Sequence, residues 1–215
     1  MAGGIFPRVV AATFLLVAGI WWTAAIFAWA AWERKFMSPL SRQAHTETSE
    51  QAIGGPDLLD VVAFGLPMLL PIALAVDGLA GTDLVFYNPL FTFPIPWAAA
   101  FQLLGLAFLL IALPTFTWAA YLTARYVFSE APGERTLLTR GPYRLVRHPV
   151  YLCFALASSG FVLLAQNYLM LPVLVLFFKW DWRQEEAELA RAFGQQYTEY
   201  RARTGAFFPR IRGRR

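Results

Sequence analysis

Long apolar runs without charged residues limit the fold of this chain more than any other feature. The first run extends from Val9 to Trp32, 24 residues without a charge. As an α-helix rising about 1.5 Å per residue it would be roughly 36 Å long, enough to cross a bilayer with some tilt. A cleaved signal peptide is the alternative, but the run is long for one and only Arg8 provides a charge before it.

Four further apolar runs follow, and the composition supports a membrane protein. The chain is 58% hydrophobic and 15% charged, whereas soluble domains have about a quarter of charged residues. The further predicted spans are Leu58–Leu79, Trp97–Tyr121, Tyr151–Gln166 and Tyr168–Trp180. The last two are short for full spans, so we expect a hairpin turning at Gln166-Asn167, with one broken span as the alternative. The prediction is an all-α integral membrane protein with about five transmembrane helices.

The positive charges lie almost entirely on one side of these five predicted spans. One side carries only Arg8, whereas the other carries three Lys or Arg in the first loop, five between Arg125 and Arg147, and nine from Lys179 onward. By the positive-inside rule, we expect the N-terminus outside and the C-terminus in the cytoplasm. The compact chain, rich in alanine and arginine, favours a bacterial inner membrane over the endoplasmic reticulum.

We expect a single membrane domain, in which residues 1–128 form a three-span scaffold. Its second span should begin near Gly54–Asp57 and bend at Pro67 and Pro71. Asp77 either caps the far end of that span or makes a polar contact inside the bundle. His45 lies in the polar loop predicted from Glu33 to Pro56 and should be solvated. The last residues, 210–215, form a basic tail that should lie against anionic lipid headgroups.

Two polar clusters interrupt the apolar pattern near the C-terminus. The first is the stretch LTRGPYRLVRHPVY from Leu138 to Tyr151, and the second is Arg183-Gln184-Glu185-Glu186, just after the last run. Because they bracket the predicted hairpin, both clusters should lie at its cytoplasmic end. The sequence therefore predicts the working site where the two clusters meet.

The segment from Trp182 to Thr204 is polar but has helical periodicity. One face of it carries Trp182, Glu186, Leu189, Phe193, Tyr197 and Tyr200. This predicts a cytoplasmic amphipathic helix with a carboxylate, Glu186, on its apolar stripe. A buried carboxylate is costly unless it is paired, so Glu186 should meet Arg147, Arg144 or a ligand's ammonium group.

The residues in these clusters resemble a known family. Gly141 to Tyr151 is similar to the G-P-Y-x-x-x-R-H-P-x-Y motif of the isoprenylcysteine carboxyl methyltransferases, much of which the phospholipid methyltransferases share. Glu185 to Tyr200 resembles the family's E-E-x-x-L…F-G-x-x-Y-x-x-Y helix, and Phe208-Pro209 resembles its closing element. The resemblance covers roughly Leu137 to Pro209. One departure is Cys153, where the family usually has glycine.

The resemblance implies a membrane methyltransferase that uses S-adenosylmethionine and binds it within residues 129–209. Carried over by position, His148 and Tyr151 would line the cofactor pocket, with Tyr143, Arg147 and Pro149 nearby. Glu185 or Glu186 would face the polar end of the cofactor. The acceptor would be lipophilic, either a small molecule or a lipidated protein.

The chemistry of the residues agrees with this implication. An arginine can bind a carboxylate and a glutamate can bind an ammonium group through charge-assisted hydrogen bonds. We expect Arg144, Arg147 and Glu186 to be the catalytic candidates, with Arg144 or Arg147 holding an anionic acceptor. His148 is expected to contact the cofactor or pack, and Cys153, within an apolar run, is not expected to be a nucleophile.

Other classes of site are excluded or less favoured. The chain has no Gly-x-Gly-x-x-Gly motif and no alternating strand–helix pattern, which excludes a Rossmann-type enzyme. No cluster has metal-ligand spacing, and neither a metal nor a nucleic-acid partner is expected. The alternatives are an NADPH-dependent sterol-type reductase, which shares an Arg-His-Pro-x-Tyr element, and a non-enzymatic scaffold. Prenylcysteine carboxylate, phospholipid amine and small thiol all stay open as acceptors.

Overall fold

The structure is a computed structural model that describes residues 7–36, 58–82, 84–85, 88, 90–92, 96–127, 136–171 and 182–210. Within these ranges the regular elements are all helical, and only two isolated backbone bridges resemble sheet pairing. The α-helices are α1 (Arg8–Phe36), α2 (Leu58–Ala80), α3 (Ala98–Tyr126), α4 (Pro149–Ala165), α5 (Trp182–Phe193) and α6 (Gln195–Arg203). Short 3-10 helices cover Gly141–Arg144 and Tyr168–Met170.

This all-helical architecture is consistent with a membrane protein. Within the described ranges, Val9–Trp32 of α1 and the whole of α3 are long and apolar enough to cross a membrane, as predicted for the first and third spans. Helices α2 and α4 lie where the second and fourth spans were predicted. Residues 172–180 of the fifth predicted span lie outside the described residues.

Some predicted boundaries differ from the structure. Helix α1 continues to Phe36 instead of ending at Trp32, because Glu33, Arg34 and Lys35 are good helix formers that extend it beyond the apolar run. Helix α2 is continuous through Pro67 and Pro71. The predictions for His45, for the helix start at Gly54–Asp57 and for the basic tail from 211 onward lie outside the described residues.

The chain forms two compact units, each built from three separate segments. One unit comprises Met1–Ala25, Pro56–Pro114 and Cys153–Lys179, and the other comprises Ile26–Gly55, Thr115–Leu152 and Trp180–Arg215. We call them the scaffold unit and the motif unit. Helices α1, α3 and α4 each contribute residues to both units.

The scaffold unit packs its helices through small residues. A Cβ atom added to Gly105 would lie 2.8 Å from the carbonyl oxygen of Gly160, and the reverse substitution is equally close. The backbones of α3 and α4 therefore touch directly at this crossing. In the same unit, Trp22 packs its ring edge-on against Phe154, with ring centroids 4.9 Å apart.

Polar side chains close one end of the scaffold unit. The Asp77 carboxylate accepts hydrogen bonds from the hydroxyl of Thr82 and from the backbone N–H groups of Leu84 (3.1 Å) and Val85 (2.9 Å). Asp77 therefore acts as a cap, which was one of its two predicted roles. The fully buried Asn167 donates to the Val85 carbonyl at 2.8 Å and ties the loop to the turn after α4.

In the motif unit, α3 supports the start of the first polar cluster. Gly141 has φ +57°, and a Cβ atom there would lie 2.6 Å from Leu122 and 3.1 Å from Trp118. Only glycine combines this backbone angle with such close packing. The hydroxyls of Thr123 and Tyr143 are 2.8 Å apart and fix the 3-10 helix to α3.

The C-terminal amphipathic segment is broken into two helices, which the sequence prediction of a single helix missed. Gly194 separates α5 from α6 with φ +51° and ψ −117°. No atom lies within 4 Å of a Cβ built on Gly194, so its conformation rather than space requires glycine. Of the predicted stripe, Glu186, Tyr197 and Tyr200 are buried, and Trp182, Leu189 and Phe193 are half-buried.

Candidate active site

The backbone of the first polar cluster is fixed by the segment that follows α6. Val146 forms a parallel bridge with Gly205, and the N–H groups of Arg147 and His148 donate to the carbonyls of Gly205 (2.9 Å) and Ala206 (3.1 Å). Pro149 then begins α4, where its missing N–H costs nothing. Arg147 and His148 are therefore held at the junction between an extended segment and a helix.

Arg147 and Glu186 form a buried ion pair at this junction. The Nε and Nη2 atoms of Arg147 lie 2.8 Å and 2.7 Å from the same oxygen, Oε1 of Glu186. The side chains are only 9% and 10% exposed. The Nη1 group donates to the Thr204 carbonyl at 2.5 Å and more weakly to that of Arg201 at 3.5 Å, so Arg147 also caps the end of α6.

Hydrogen bonds determine the ionisation of Glu186. Burial by itself would raise the pKa of Glu186, but the hydrogen bonds from Arg147 and His148, together with their charges, outweigh burial and lower the pKa below its ordinary value. Glu186 is thus a carboxylate near neutral pH. This confirms the sequence expectation that a buried Glu186 pairs with a cation, and the cation is Arg147.

His148 lies between the two glutamates and is 2% exposed. Its Nε2 atom is 3.1 Å from Oε1 of Glu186. Because a carboxylate only accepts hydrogen bonds, Nε2 carries the hydrogen. On the other edge of the ring, Nδ1 is 3.5 Å from Oε2 of Glu185, yet neither atom has a hydrogen-bond partner although both are buried.

Three aromatic rings surround the imidazole of His148. The ring centroids of Tyr151, Trp182 and Phe207 lie 5.6, 5.7 and 5.8 Å from it. Trp182 and Phe207 also meet edge-on at 5.3 Å. These rings shield the imidazole of His148 from water and strengthen its electrostatic interactions, whereas the Glu185 side chain is 45% exposed.

Two tyrosines of α6, Tyr197 and Tyr200, are buried in the motif unit. The Tyr200 hydroxyl donates to the Tyr143 carbonyl at 2.6 Å, and burial raises the pKa of Tyr200 to about 12. The Tyr197 hydroxyl is buried, with Glu186 and Arg147 as its polar neighbours. Burial and the neighbouring Glu186 charge raise the pKa of Tyr197. Both phenols therefore stay protonated and can act as hydrogen-bond donors.

The structure gathers most of the residues that the sequence singled out. Arg147, His148, Glu185 and Glu186 form one cluster, and Tyr151 packs against it. Tyr143 joins it through Tyr200, whereas Arg144 is exposed at the end of the 3-10 helix. The residues that sequence reasoning did not assign to the site are Thr123, Trp182, Tyr197, Thr204 and Phe207. Trp182 and Tyr197 lay on the predicted stripe, but no sequence signal identifies the Thr204 contact, which uses a backbone carbonyl.

Comparison with known proteins gives matches in the same region. Residues 97–196 match the family model of the phospholipid methyltransferases. The match begins at residue 97, just before α3, and so well before Leu137, where the resemblance of the motifs began. The cobalt-zinc-cadmium resistance protein CzcN of Cupriavidus metallidurans is 40% identical over 82 residues, which cover 36% of this chain and 38% of that protein.

Other relatives carry a methyltransferase name. The protein-S-isoprenylcysteine O-methyltransferase of Tribolium castaneum is 35% identical over 88 residues, covering 39% of this chain and 31% of that protein. The Schizosaccharomyces pombe protein of the same name is 36% identical over 89 residues, covering 40% and 38%. The chain thus spans less than half the length of these curated relatives. The matched part of the chain is similar to methyltransferases. The family that the matches support is the one that includes the isoprenylcysteine carboxyl methyltransferases and the phospholipid methyltransferases.

Proposed function

We propose that this protein transfers a methyl group from S-adenosylmethionine to a lipophilic acceptor at the cytoplasmic membrane interface. Isoprenylcysteine carboxyl O-methylation is the reaction that the named relatives favour. The observation that carries the proposal is the cluster of Arg147, His148, Glu185 and Glu186 beside three aromatic rings, in which Arg147, His148 and Glu186 are buried and the Glu185 side chain is 45% exposed. Such a cluster offers opposite charges and π faces at a largely shielded position, which suits a zwitterionic sulfonium cofactor.

Two buried acceptor atoms indicate where the ammonium group of the cofactor would bind. Nδ1 of His148 and Oε2 of Glu185 are 3.5 Å apart, and in the neutral ring both are acceptors. A donor group that bonds to both would satisfy them, and the ammonium of S-adenosylmethionine is such a group. Glu186 is less suited to this role, because its Oε1 atom already accepts from Arg147 and His148.

Each residue of the cluster would then have a separate task. Glu185 and His148 would bind the ammonium, and Tyr151, Trp182 and Phe207 would provide faces for the purine and the sulfonium. When bound, the cofactor supplies an electrophilic methyl group on a positively charged sulfur. Tyr143 and Pro149 would shape the pocket from the 3-10 helix and the start of α4.

Arg147 and Arg144 differ in their capacity to hold an acceptor. The guanidinium of Arg147 is already bonded to Glu186 and to backbone carbonyls, so its role would be to position Glu186 and α6. Arg144 is exposed and keeps its charge available at the end of the 3-10 helix. Of the two arginines predicted to hold an anionic acceptor, we therefore favour Arg144.

The proposal includes a topology of five transmembrane helices in a single membrane domain. The C-terminal helices α5 and α6 would lie in the cytoplasm, and the N-terminus would lie outside. The distribution of Lys and Arg and the two long apolar helices support this arrangement. A reporter fused to the C-terminus tests it, since activity of a reporter that works only outside the cytoplasm would contradict the model.

The activity can be tested with purified protein in detergent and methyl-labelled S-adenosylmethionine. N-acetyl-S-farnesylcysteine, a phospholipid amine and a lipophilic thiol would be supplied separately as acceptors. Label should enter a lipophilic product with one of them, and His148→Phe should reduce the rate by about a hundredfold or more, because the cluster would lose its orientation. Oxidation of NADPH without methyl transfer would instead support a reductase, and neither activity in folded protein would support a scaffold.

A further inference from the structure

The loop that joins α2 to α3 exposes large apolar side chains. From Gly81 to Trp97 its sequence contains Asp83 but no lysine or arginine. Among its described residues, Leu84 is 68% exposed, Leu90 is 81% exposed and Trp97 is 82% exposed. One exposed leucine would need no explanation, but three such side chains in a single loop indicate a surface that meets an apolar partner.

Asn88 satisfies the backbone of this loop from within. Its side chain donates to the Leu84 carbonyl at 3.1 Å and accepts from the N–H of Leu90 at 3.0 Å. Its own carbonyl accepts from the N–H groups of Phe91 (2.9 Å) and Thr92 (3.0 Å). The side chain of Leu90 is therefore presented by a backbone whose hydrogen bonds do not depend on water.

Further hydrogen bonds tie the loop to the rest of the scaffold unit. The Asp77 carboxylate at the end of α2 accepts from two N–H groups of the loop. Asn167 donates to the Val85 carbonyl at 2.8 Å, and the N–H of Tyr168 donates to the Phe91 carbonyl at 2.7 Å. Irregular backbone can lie at membrane depth only where its polar groups have partners inside the protein, and these contacts supply such partners.

Trp97 begins α3 in a strained conformation. Its φ is +66°, a region that bulky residues rarely adopt and that favours glycine. Its carbonyl accepts from the N–H groups of Ala100 (2.8 Å) and Phe101 (3.2 Å), so the strained residue caps the helix. Because its side chain is 82% exposed, packing within the described residues does little to offset the strain. An indole in this setting is typical of the boundary between lipid and water.

The exposed face of the loop continues along α3. Leu104 and Ile111 follow Trp97 at intervals of seven residues, close to two helical turns, so the three side chains share one face. Leu104 is 42% exposed and Ile111 is 56% exposed. Helix α3 is long and apolar enough to cross a membrane, and lipid would cover such an exposed stripe. The same lipid would reach Trp97.

We propose that the loop from Gly81 to Trp97 is immersed in the lipid leaflet at its end of the scaffold unit. Leu84, Leu90 and Trp97 would insert into lipid, while Asp77 and Asn88 hold the backbone together behind them. A lipid surface is favoured over a protein partner because the loop is continuous with the exposed stripe of α3. The inference is independent of the proposed function, since the loop carries none of the motif residues.

Spin labels on the full-length protein in phospholipid nanodiscs test this immersion. Cys153, which is buried and is the single cysteine of the chain, is first replaced by alanine. Labels are then placed at Leu84→Cys or Leu90→Cys, with Ile111→Cys as the lipid-facing reference and Gln196→Cys on α6 as the water-facing reference. Power saturation compares collisions with oxygen, which concentrates in lipid, and with a water-soluble nickel chelate. The ratio of oxygen to nickel accessibility in the loop should be severalfold higher than at Gln196 and close to that at Ile111.

Two variants test the role of Trp97 as an anchor. Asparagine tolerates a positive φ, so Trp97→Asn removes the ring and keeps the backbone. The accessibility ratio of the label at Leu90→Cys should fall severalfold in that variant, because the loop loses its largest inserted side chain. Trp97→Tyr should keep the ratio, since tyrosine also suits the boundary. Equal ratios in wild type and Trp97→Asn would show that Trp97 is not inserted.

Two results would overturn the inference. One is nickel accessibility at Leu84→Cys and Leu90→Cys as high as at Gln196→Cys, which would place the loop in water. The other is shielding of both loop labels from oxygen and nickel together, with dipolar coupling between labels on different molecules. That result would assign the surface to a second copy of the chain.

Discussion

Each of the two units is stabilised internally by a different kind of contact. In the scaffold unit, α3 and α4 touch through Gly105 and Gly160, with little room for another atom. In the motif unit, Arg147 links three separate segments by hydrogen bonds to Glu186 and to the Thr204 carbonyl. The first arrangement depends on the absence of side chains, and the second depends on one particular side chain.

This difference determines how much each unit tolerates change. A contact between glycines requires only that the residues at the helix crossing be small. Many patterns of small residues meet this requirement, so the sequence of the scaffold unit contains little that identifies the contact. A buried guanidinium with several partners constrains chemical identity, because lysine cannot reproduce its planar fork. The recognisable motifs therefore fall in the motif unit.

The largest expected effect comes from Arg147→Met. The substitution leaves the carboxylate of Glu186 buried without its main partner and removes a cap from α6. Breaking a buried ion pair in this way costs about 3–5 kcal/mol in the free energy of unfolding. Thermal unfolding in detergent, followed by tryptophan fluorescence, measures it. Arg144→Met is the control, since Arg144 is exposed. An equal loss of stability in both variants would contradict the claim that the motif unit depends on Arg147 in particular.

The next effect separates two kinds of glycine. Gly160→Ala would place a Cβ atom 2.8 Å from the Gly105 carbonyl and should destabilise the protein by about 1–3 kcal/mol through overpacking. Gly194→Ala meets no atom but strains a positive φ, with a cost of about 1–2 kcal/mol. Both losses are measured in the same unfolding assay. Calorimetric titration should show in addition that Gly194→Ala binds S-adenosylmethionine more weakly than wild type, whereas Gly160→Ala should not.

A smaller effect is expected for Tyr200→Phe. The substitution removes the hydrogen bond to the Tyr143 carbonyl and nothing else of the ring. The loss should be about 0.5–1.5 kcal/mol in the free energy of unfolding. Thr123→Val removes the contact of the Tyr143 hydroxyl with α3. If the double variant shows the sum of the two single losses in a double-mutant cycle, the two bonds act independently.

The smallest effect near neutral pH concerns the ionisation of Glu186. Its pKa is lowered in the folded state, so its contribution to stability is present above the ordinary value of 4.5 and is lost as pH falls through the folded value. Melting temperatures measured between about pH 3 and pH 7 should therefore fall at the acid end. Glu186→Gln should flatten this dependence. An unchanged pH profile in that variant would mean that Glu186 is not the group responsible.

Much of this arrangement could be predicted from the sequence. The charge-free runs gave the first and third long helices within a few residues, because no other structure satisfies the backbone of so long an apolar segment. The pairing of Glu186 with a cation followed from the cost of a buried carboxylate, but the choice of Arg147 over Arg144 or a ligand's ammonium group needed the structure. His148, Glu185 and Tyr151 were identified through their resemblance to a family motif.

Other features depend on tertiary geometry that local patterns do not record. The break at Gly194 was missed because the apolar stripe continues across it with unchanged spacing. The close approach of Gly105 and Gly160 and the contact of Arg147 with the Thr204 carbonyl use backbone atoms, which have no sequence signature.

The central claim is that the cluster around His148 binds S-adenosylmethionine through Glu185. Its most direct test is calorimetric titration of purified wild-type protein and Glu185→Gln with S-adenosylmethionine, with NADPH as the competing ligand and Glu188→Gln as the matched control. We predict binding of S-adenosylmethionine alone, weakened about tenfold or more in Glu185→Gln and unchanged in Glu188→Gln. Binding of NADPH instead, or equal affinity in wild type and Glu185→Gln, would contradict the account.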